Sequence, residues 1–474
     1  MKYNAYYSKY LQNLIKKSNF VANYNFMSAK FGSKIGLIAA TVGSAVGLGN
    51  IWRFPAEAQT NGGAAFLLVY IACLLIIGIP VMIGEFVIGR EGGTDAVGDY
   101  KRISPKKKWW LIGGIGVVAS YLILCFYIVV AGWSLEYLFN SITGELFAGI
   151  ADGSSSFEDK IQDYTASDWK PLIFTAGVIM LNIIILLGGV RKGIEKMSNI
   201  MMPMLYLILI VFCAVTLTLP NAGDGVKFFL SPDFSKIGAD TVINALGQAF
   251  FSLSLGTSIL ITYAAYYPKN VKLGKTASTV TLLDMSVSVM MGLVIFPAVT
   301  SFGLQGESIE GATLVFATLP EVFMRMPGTQ FWAILFFLLL LLAALTSTVS
   351  IAEVSVRFFQ DRLKMRRRNA VLAVLLPLFI FSSLCALSTG ALSDIKIFGL
   401  TIFDFLDTFA TNILLPLGSM AMCIYLGWFA PKGLVARQMG NGSASKSFAT
   451  RMVAFIIKWL APIAIASIFI AQFN

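Results

Sequence analysis

The sequence predicts an all-α polytopic membrane protein with eleven transmembrane helices, built as two inverted five-helix repeats with broken helices 1 and 6. Three observations support this fold class. The chain is 57% hydrophobic and only 13% charged, with a mean hydropathy of +0.76, which is far more apolar than a soluble domain. Its apolar residues form eleven runs that are long enough to cross a bilayer. The first and the sixth run are interrupted midway by glycine and small polar residues.

The eleven apolar runs predict the domain organisation. Their approximate limits are 35–56, 64–89, 109–138, 171–189, 198–219, 241–267, 277–303, 330–359, 369–388, 402–428 and 451–472. We expect a cytoplasmic N-terminal segment, a first repeat, a second repeat that is inverted, and a last helix with the C-terminus, which cover residues 1–32, 33–219, 220–430 and 431–474.

The basic residues of the loops predict the orientation in the membrane. Loops that would face one side carry 27 lysine and arginine residues, whereas the loops on the other side carry six. Cytoplasmic loops are enriched in basic residues, so the N-terminus is predicted in the cytoplasm and, after an odd number of spans, the C-terminus outside. The net charge of +11 is thus a topology signal, and we expect the lipid bilayer rather than nucleic acid as the partner.

The cysteine and histidine content argues against an enzyme. All five cysteines lie within apolar runs at no metal-like spacing, which is typical of small core residues, and the chain has no histidine. A membrane-embedded enzyme would need a nucleophile with its base, or a set of metal ligands. We therefore expect no catalytic residues.

The first interruption is the stretch Gly43-Ser-Ala-Val-Gly-Leu-Gly-Asn-Ile-Trp-Arg-Phe-Pro55. Glycine costs about 1 kcal/mol relative to alanine inside a helix, so a simple span would not place Gly47, Gly49 and Asn50 together. Backbone that leaves the helix at membrane depth is tolerated only where it is buried in protein or lines a cavity. The stretch predicts a broken helix whose freed backbone groups bind a small ligand.

The second interruption, from Gly247 to Ser258, falls at the corresponding place of the second half. Close helix packing is the alternative explanation, because small residues favour it in lipid. The pairing favours a break, since broken helices at matching positions of inverted repeats mark the central binding site of transporters. The same symmetry places Tyr127 of span three and the hydroxyl cluster Thr346-Ser-Thr348 of span eight opposite the breaks. A core tyrosine and hydroxyls that bond to their own helix are the alternatives.

The stretch 43–55 resembles the signature of the neurotransmitter:sodium symporter family. Further motifs are similar in order and spacing between residues 31 and 472, namely Asn61-Gly-Gly-Ala-Ala-Phe66, Phe251-Ser-Leu-Ser-Leu-Gly256 and Thr346-Ser-Thr348. The resemblance implies sodium-driven transport of amino acids or related amines on the broken-helix fold. It also implies the plasma (inner) membrane of a bacterium, because many bacterial members have eleven spans.

The resemblance implies a role for each site residue. The first sodium ion would bind at Ala45, Asn50, Ser252 and Asp284. The second would bind at Gly43, Val46, Ala343, Thr346 and Ser347. The substrate would contact Ala45, Leu48, Gly49, Ile123, Tyr127, Phe251, Ser252, Ser254, Thr257, Ser347 and Ile351, with the amides of Leu48 and Gly49 and the Tyr127 hydroxyl on its carboxylate.

Three residues refine the expected ligands. Amine-transporting relatives carry an aspartate where this chain has Gly47, so glycine favours an α-amino acid. Thr257 stands where leucine-type bacterial members carry phenylalanine, which favours a larger side chain, such as an aromatic one. Two sodium ions, the substrate carboxylate and Asp284 sum to zero charge. Because relatives that lack a carboxylate here recruit chloride, we expect chloride independence.

The resemblance also implies two gates. The outer gate would use Arg53 with Asp407, together with Gln248 and Phe251. Asp404 is the competing partner of Arg53. The alternative to a gate is that Arg53 extends its charged end to the membrane–water interface.

The inner gate departs from the family pattern. Asp361 and Tyr266 match the family, but Ser28 and Phe31 replace its arginine and tryptophan. Lys30 or Lys34 would then substitute, or the gate would be looser. Glu85 of span two is expected to brace the break of span six.

These inferences predict a sodium-coupled symporter that imports a hydrophobic L-amino acid by alternating access. The alternative is an amino-acid sensor on the same fold that transports nothing. We expect a monomer or a weak homodimer.

Overall fold

The computed structural model describes residues 30–150, 152–304, 311–443, 445 and 447–472. Most of the predicted N-terminal segment 1–32, including Ser28, therefore lies outside the described residues. Within the described ranges the regular elements are helices, and the only strand-like contact is an isolated bridge between Ile397 and Leu400. The all-α fold class is confirmed.

Nine helices of the described chain are long and apolar enough to cross a membrane. They are α2 (Ala64–Gly92), α3 (Trp110–Thr143), α4 (Lys170–Leu187), α5 (Val190–Thr216), α7 (Leu273–Ser301), α8 (Thr329–Arg362), α9 (Arg367–Leu387), α10 (Ile402–Phe429) and α11 (Phe448–Ala471). Two broken pairs complete the set, α1a (Lys34–Ala45) with α1b (Gly49–Thr60), and α6a (Ala239–Ser252) with α6b (Ile259–Ala265). With each pair taken as one span, these elements are compatible with the eleven predicted runs.

Shorter helices connect the spans on both faces of the bundle. We call the face that carries Lys30 and the connecting helices Ala96–Ile103 and Leu434–Met439 the inner face. The outer face carries the connecting helices Phe157–Ala166, Ala222–Leu230 and Gly311–Met324. These two terms follow the orientation predicted from the basic loops.

The spans pack in two groups. Helices α3, α4, α8 and α9 contact one another extensively, and α8 is buried along most of its length. The two halves of α6 pack along α2, while α1a lies between α5, α7 and α8. The breaks in α1 and α6 therefore face each other and the buried helices α3 and α8 in the centre of the bundle.

The break in α1 bends its two halves by 57°. Glycine is required here by close approach: a Cβ atom on Gly47 would lie 2.7 Å from both the Tyr127 hydroxyl and Ser347 Oγ. A Cβ on Gly49 would lie 2.7 Å from the ring of Phe251. The glycines thus let the backbone of α1 approach α3, α6 and α8, which a larger residue would prevent.

The break in α6 contains three residues with positive φ, namely Ser254 (53°), Gly256 (83°) and Ser258 (61°). The left-handed conformation costs an L-residue roughly 1–2 kcal/mol, so the two serines are held there by their surroundings. The Gly256 amide donates to Glu85 Oε1 at 2.7 Å, and the Ser120 hydroxyl donates to the carbonyl of Thr257. Glu85 therefore binds the broken backbone of α6.

Candidate functional site

A buried carboxylate, Asp284 of α7, lies beside the break in α1. The Asn50 amide donates to Asp284 Oδ1 at 2.8 Å and to Ser252 Oγ at 3.0 Å, and the Ser252 hydroxyl donates to Asp284 Oδ2 at 2.5 Å. The three side chains are at most 1% exposed. Among the described residues no basic side chain pairs with Asp284, so only neutral donors face a buried charge. Such a cluster favours a small cation.

Two side chains that the sequence reasoning missed complete this cluster. Tyr70 of α2 donates to Ser252 Oγ at 3.1 Å, and Ser288 of α7 accepts from the Asn50 amide at 2.9 Å. Ser288 lies one helical turn after Asp284, so helical spacing could have pointed to it. Tyr70 offered only the weak signal of a tyrosine in mid-span.

A second group of oxygen atoms lies between α1a and α8. Ser347 Oγ donates to the carbonyl of Val46 at 3.2 Å, and the Thr346 hydroxyl donates to the carbonyl of Ala343 at 2.9 Å. A Cβ atom on Gly43 would lie 3.3 Å from Thr346 Cβ, which places the Gly43 backbone against the same hydroxyl residue. The structure thus brings together all five residues predicted for the second ion.

A central pocket lies between the two breaks and the helices α3 and α8. The Leu48 amide donates to the Tyr127 hydroxyl at 2.9 Å at the polar end of this pocket. Its lining residues are Ser44, Ala45, Gly47, Gly49, Ile123, Phe126, Tyr127, Phe251, Ser252, Ser254, Thr257, Ile259, Ser347, Ile351 and Leu415. Every residue predicted to contact substrate lines it, apart from Leu48, which reaches it through Tyr127. The lining residues outside the predicted substrate set are Ser44, Gly47, Phe126, Ile259 and Leu415.

Hydroxyl groups connect the two breaks across the pocket. Ser254 Oγ donates to the carbonyl of Ser44 at 3.1 Å, which links α6 to α1. The Thr257 hydroxyl donates to the Ser254 carbonyl at 2.6 Å and accepts from the Ile259 amide at 3.2 Å. The α6 break thus uses the Thr257 hydroxyl to hold its own backbone, and Thr257 also lines the pocket.

Arg53 lies above the pocket towards the outer face. Its guanidinium lies 4.5 Å from the centre of the Phe251 ring, and its ion pair is with Glu57, at 3.6 Å. Neither Asp407 nor Asp404 forms an ion pair with Arg53 within 4.0 Å. The predicted pair of Arg53 and Asp407 is therefore not formed in this conformation, although Arg53 does cover the pocket.

Aromatic side chains close the outer side further. Phe316 of the connecting helix Gly311–Met324 packs against Trp52, Trp133 and Tyr137, with ring centres 6.3, 5.9 and 4.8 Å away. Phe316 is fully buried. Gln248, which was predicted at this gate, donates to the Gly49 carbonyl at 2.9 Å and so ties α6a to α1b.

The inner side is closed by charged residues and rings. The Tyr266 hydroxyl donates to Glu353 Oε1 at 2.7 Å, and Glu353 also pairs with Arg367 at 2.7 Å. Asp361 pairs with Arg357 of its own helix at 2.8 Å. Of the two residues predicted for the inner gate, Tyr266 thus binds across helices, whereas Asp361 meets a cation that the sequence reasoning did not consider.

The start of α1a is held by Glu195 of α5. Glu195 accepts from the Gly32 amide at 2.7 Å and from the Ser33 amide and hydroxyl at 3.0 and 2.8 Å. Lys30 and Lys34 are exposed, and neither forms an ion pair in the described part of the chain. The structure therefore does not place either lysine as the substitute expected at the inner gate.

Asp99 of the connecting helix Ala96–Ile103 adds a buried carboxyl group on the inner side. Burial raises the pKa of Asp99 well above its ordinary value, and two hydrogen bonds from Thr94 to Oδ1, at 2.7 and 2.9 Å, oppose this shift. Asp95 nearby raises the pKa further, while the positive charge of Arg357 lowers it.

The comparison with known families agrees with this architecture. A model of the sodium:neurotransmitter symporter family matches residues 28–167 and 150–474. The chain belongs to the sodium:neurotransmitter symporter family. It is a multi-pass membrane transporter that depends on sodium, and not an enzyme.

Individual members of the family are similar over most of their length. An uncharacterized sodium-dependent transporter of Bacillus subtilis (strain 168), YhdH, is 38% identical over 444 residues, which cover 93% of this chain and 97% of the relative. A sodium-dependent transporter of Methanocaldococcus jannaschii, MJ1319, is 35% identical over 84% of this chain and 81% of its own length. The crystal structure of MhsT in complex with L-phenylalanine superposes with a TM-score of 0.84 at 38% identity and covers 94% of this chain and 99% of MhsT.

Proposed function

We propose that this symporter imports a hydrophobic L-amino acid together with sodium, by alternating access. The observation that carries the proposal is the central pocket at the two helix breaks, which joins a polar end at Tyr127 to an apolar wall. The Leu48 amide and the Tyr127 hydroxyl suit a carboxylate, since amides at a helix N-terminus favour anions. The structural similarity to MhsT, which was crystallised with L-phenylalanine, supports an amino-acid substrate.

The apolar side of the pocket supports a hydrophobic and preferably aromatic side chain. Ile123, Phe126, Ile259 and Ile351 line this side and carry no polar side-chain atoms. Thr257 presents a smaller side chain than phenylalanine would at this position. Gly47 supports an α-amino acid rather than a bare amine, because a side chain there would collide with Tyr127 and Ser347.

We assign the two groups of oxygen atoms to two sodium ions. The first ion would be held by Ala45, Asn50, Ser252 and Asp284, and the second by Gly43, Val46, Ala343, Thr346 and Ser347. Within the described residues no three histidine, cysteine or carboxylate side chains converge as a metal site, so carbonyl and hydroxyl oxygens would supply most ligands. Such oxygens suit a hard alkali cation.

Asp284 would make transport independent of chloride, since its carboxylate and the carboxylate of the substrate together supply the negative charge that balances two sodium ions. Two sodium ions that move with the substrate gain roughly 4.6 kcal/mol per 100 mV from the membrane potential. This energy supports about a thousandfold accumulation. We place the inner face in the cytoplasm, in agreement with the basic loops.

Uptake into proteoliposomes tests the proposal. Radiolabelled amino acids should accumulate under an inward sodium gradient, with hydrophobic and aromatic substrates competing best among the twenty. Asp284→Ala should abolish accumulation at equal protein incorporation. Equal uptake when potassium replaces sodium would refute the coupling of transport to sodium. Sodium-dependent binding of the amino acid without transport would favour the alternative, a sensor that transports nothing.

A further inference from the structure

One aromatic ring joins three elements at the inner end of the pocket. The ring of Tyr266, which follows α6b, is met edge-on by Phe31 at 6.2 Å between ring centres. On another side the guanidinium of Arg357 of α8 lies 5.0 Å from the ring centre. Tyr266 and Phe31 are almost fully buried. The segment before α1a, the end of α6b and α8 therefore meet at Tyr266.

Arg357 is the charged member of this contact. It pairs with Asp361 at 2.8 Å, and the two side chains are only 11% and 7% exposed. Glu353 of α8 and Asp99 of the connecting helix Ala96–Ile103 also interact electrostatically with Arg357, and Asp99 Oδ2 has no hydrogen-bond partner among the described residues. Removal of one partner from such a buried group leaves the other charge uncompensated. Arg357 is thus paired with Asp361 and interacts with carboxyl groups on two elements.

The other cations near this position are engaged elsewhere or exposed. Arg357 and Asp361 line a vestibule of about 880 Å³ that opens on the inner face. Arg362 in the same vestibule pairs with Asp95 at 3.0 Å, and Lys30, which also lines it, is exposed. Arg357, which lines the same vestibule, stacks on the ring of Tyr266 directly after α6b.

We propose that Arg357 of α8 is the gate cation of the inner face, in a chain that has Ser28 where the family pattern has an arginine. This inference rests on the proposed alternating access. Opening of the inner path must separate α6b and the start of α1a from α8, which withdraws the Tyr266 ring from Arg357. A cation–π contact is stronger when it is desolvated, so Arg357 stabilises the closed inner gate and is released to water when the gate opens.

The accessibility of a thiol on α1a tests the proposal. Thr41 is fully buried, and its hydroxyl lies 2.7 Å from that of Tyr267, so a thiol from Thr41→Cys is shielded while the inner gate is closed. A membrane-impermeant methanethiosulfonate reagent would be applied to the inner face in sodium buffer and in potassium buffer. The protein without the Thr41→Cys substitution would give the background labelling of the native cysteines. We expect Arg357→Gln to raise the labelling rate in sodium at least fivefold.

Arg362→Gln is the matched control, because it removes a cation from the same helix and vestibule that contacts no ring of α6. Its labelling rate in sodium should stay within twofold of the Thr41→Cys parent. Equal rates for Arg357→Gln and Arg362→Gln would overturn the proposal. Arg357→Lys, which keeps the charge without the planar group, should give an intermediate rate.

Two outcomes separate this inference from the proposed function. If sodium does not lower the labelling rate of Thr41→Cys relative to potassium, the proposed sodium-coupled cycle is refuted. If sodium protects it and Arg357→Gln leaves the protection unchanged, only the role of Arg357 fails. Should Arg357→Gln not fold, Tyr266→Leu removes the ring and leaves the Arg357–Asp361 pair intact. The same increase in labelling is then expected, and unchanged labelling would overturn the proposal.

Discussion

Replacement of Asp284 by asparagine removes one buried negative charge at nearly constant side-chain volume. We expect the Asn50 amide, the Ser252 hydroxyl and the Ser288 hydroxyl to remain around the new amide, because the packing of α1b, α6a and α7 positions them and the side chain at residue 284 keeps its shape. The variant therefore tests the charge of the cluster rather than its packing.

The size of the effect follows from Coulomb's law. Even at a separation of about 6 Å, a fixed charge contributes roughly 3 kcal/mol to the binding of a sodium ion at an effective dielectric constant near 20, so this value is a lower bound for a carboxylate that helps to hold the ion. Since about 1.4 kcal/mol corresponds to a factor of ten, the sodium concentration for half-maximal uptake should rise about a hundredfold in chloride-free buffer.

Chloride should restore part of this loss. Without the carboxylate, the donors of Tyr70, Ser252 and Asn50 face an uncompensated site beside the first proposed cation, which favours a small anion. Sodium titrations of uptake would be compared in chloride and in gluconate. The uptake rate of the wild-type protein should be the same in both buffers, whereas the uptake rate of Asp284→Asn should be at least tenfold higher in chloride than in gluconate.

A second carboxylate provides the control. Ser288 Oγ lies 2.9 Å from the Asn50 amide, so Asp284→Asn combined with Ser288→Glu returns a negative charge to the same cluster. Uptake by this double variant should again be independent of chloride. The reasoning would be refuted if wild-type uptake collapsed in gluconate, or if Asp284→Asn kept the wild-type sodium affinity without chloride.

Three further predictions concern the two breaks. Gly47→Ala should reduce uptake at least tenfold, because its methyl group would lie 2.7 Å from the Tyr127 hydroxyl and from Ser347 Oγ. Tyr127→Phe should weaken amino-acid binding about 10- to 100-fold in competition assays, since a hydrogen bond to a charged group is worth about 1.5–3 kcal/mol. Glu85→Leu leaves the Gly256 amide without its acceptor, which should lower the free energy of unfolding by about 1–3 kcal/mol in thermal or denaturant unfolding.

Matched variants control these predictions. Gly223→Ala adds a methyl group where nothing lies within 4 Å, so it should leave uptake unchanged. Glu85→Gln keeps an acceptor for the Gly256 amide and should remain close to the wild-type stability. If Gly47→Ala transports as well as Gly223→Ala, the close approach of α1 to α3 and α8 is not required.

The spans and their breaks could be predicted from sequence because the bilayer imposes simple rules. A span needs about twenty apolar residues, and each interruption of such a run needs a physical reason. The grouping of Asn50, Ser252 and Asp284 was accessible only through the resemblance to a family, because the three residues come from three different helices. No periodicity within one helix reports such a contact.

The two gates mark where the sequence reasoning was least complete. Arg53 was expected against Asp407, but in this conformation it pairs with Glu57 one turn along its own helix. On the inner face the missing arginine pointed to Lys30 or Lys34, whereas Asp361 pairs with Arg357. Pairs that form and break during transport depend on conformation, and a sequence does not specify which conformation is populated.

The sequence by itself determined that the chain crosses the membrane, that two of its helices break at matching places, and that small residues occupy those breaks. Apolar length and the cost of glycine are local properties, so they can be read from consecutive residues. Only the tertiary structure decided that Tyr70 donates to Ser252, that Asn50 donates to Ser288, and that Arg357 lies on the ring of Tyr266. These contacts join residues far apart in the chain, and they follow from how whole helices pack.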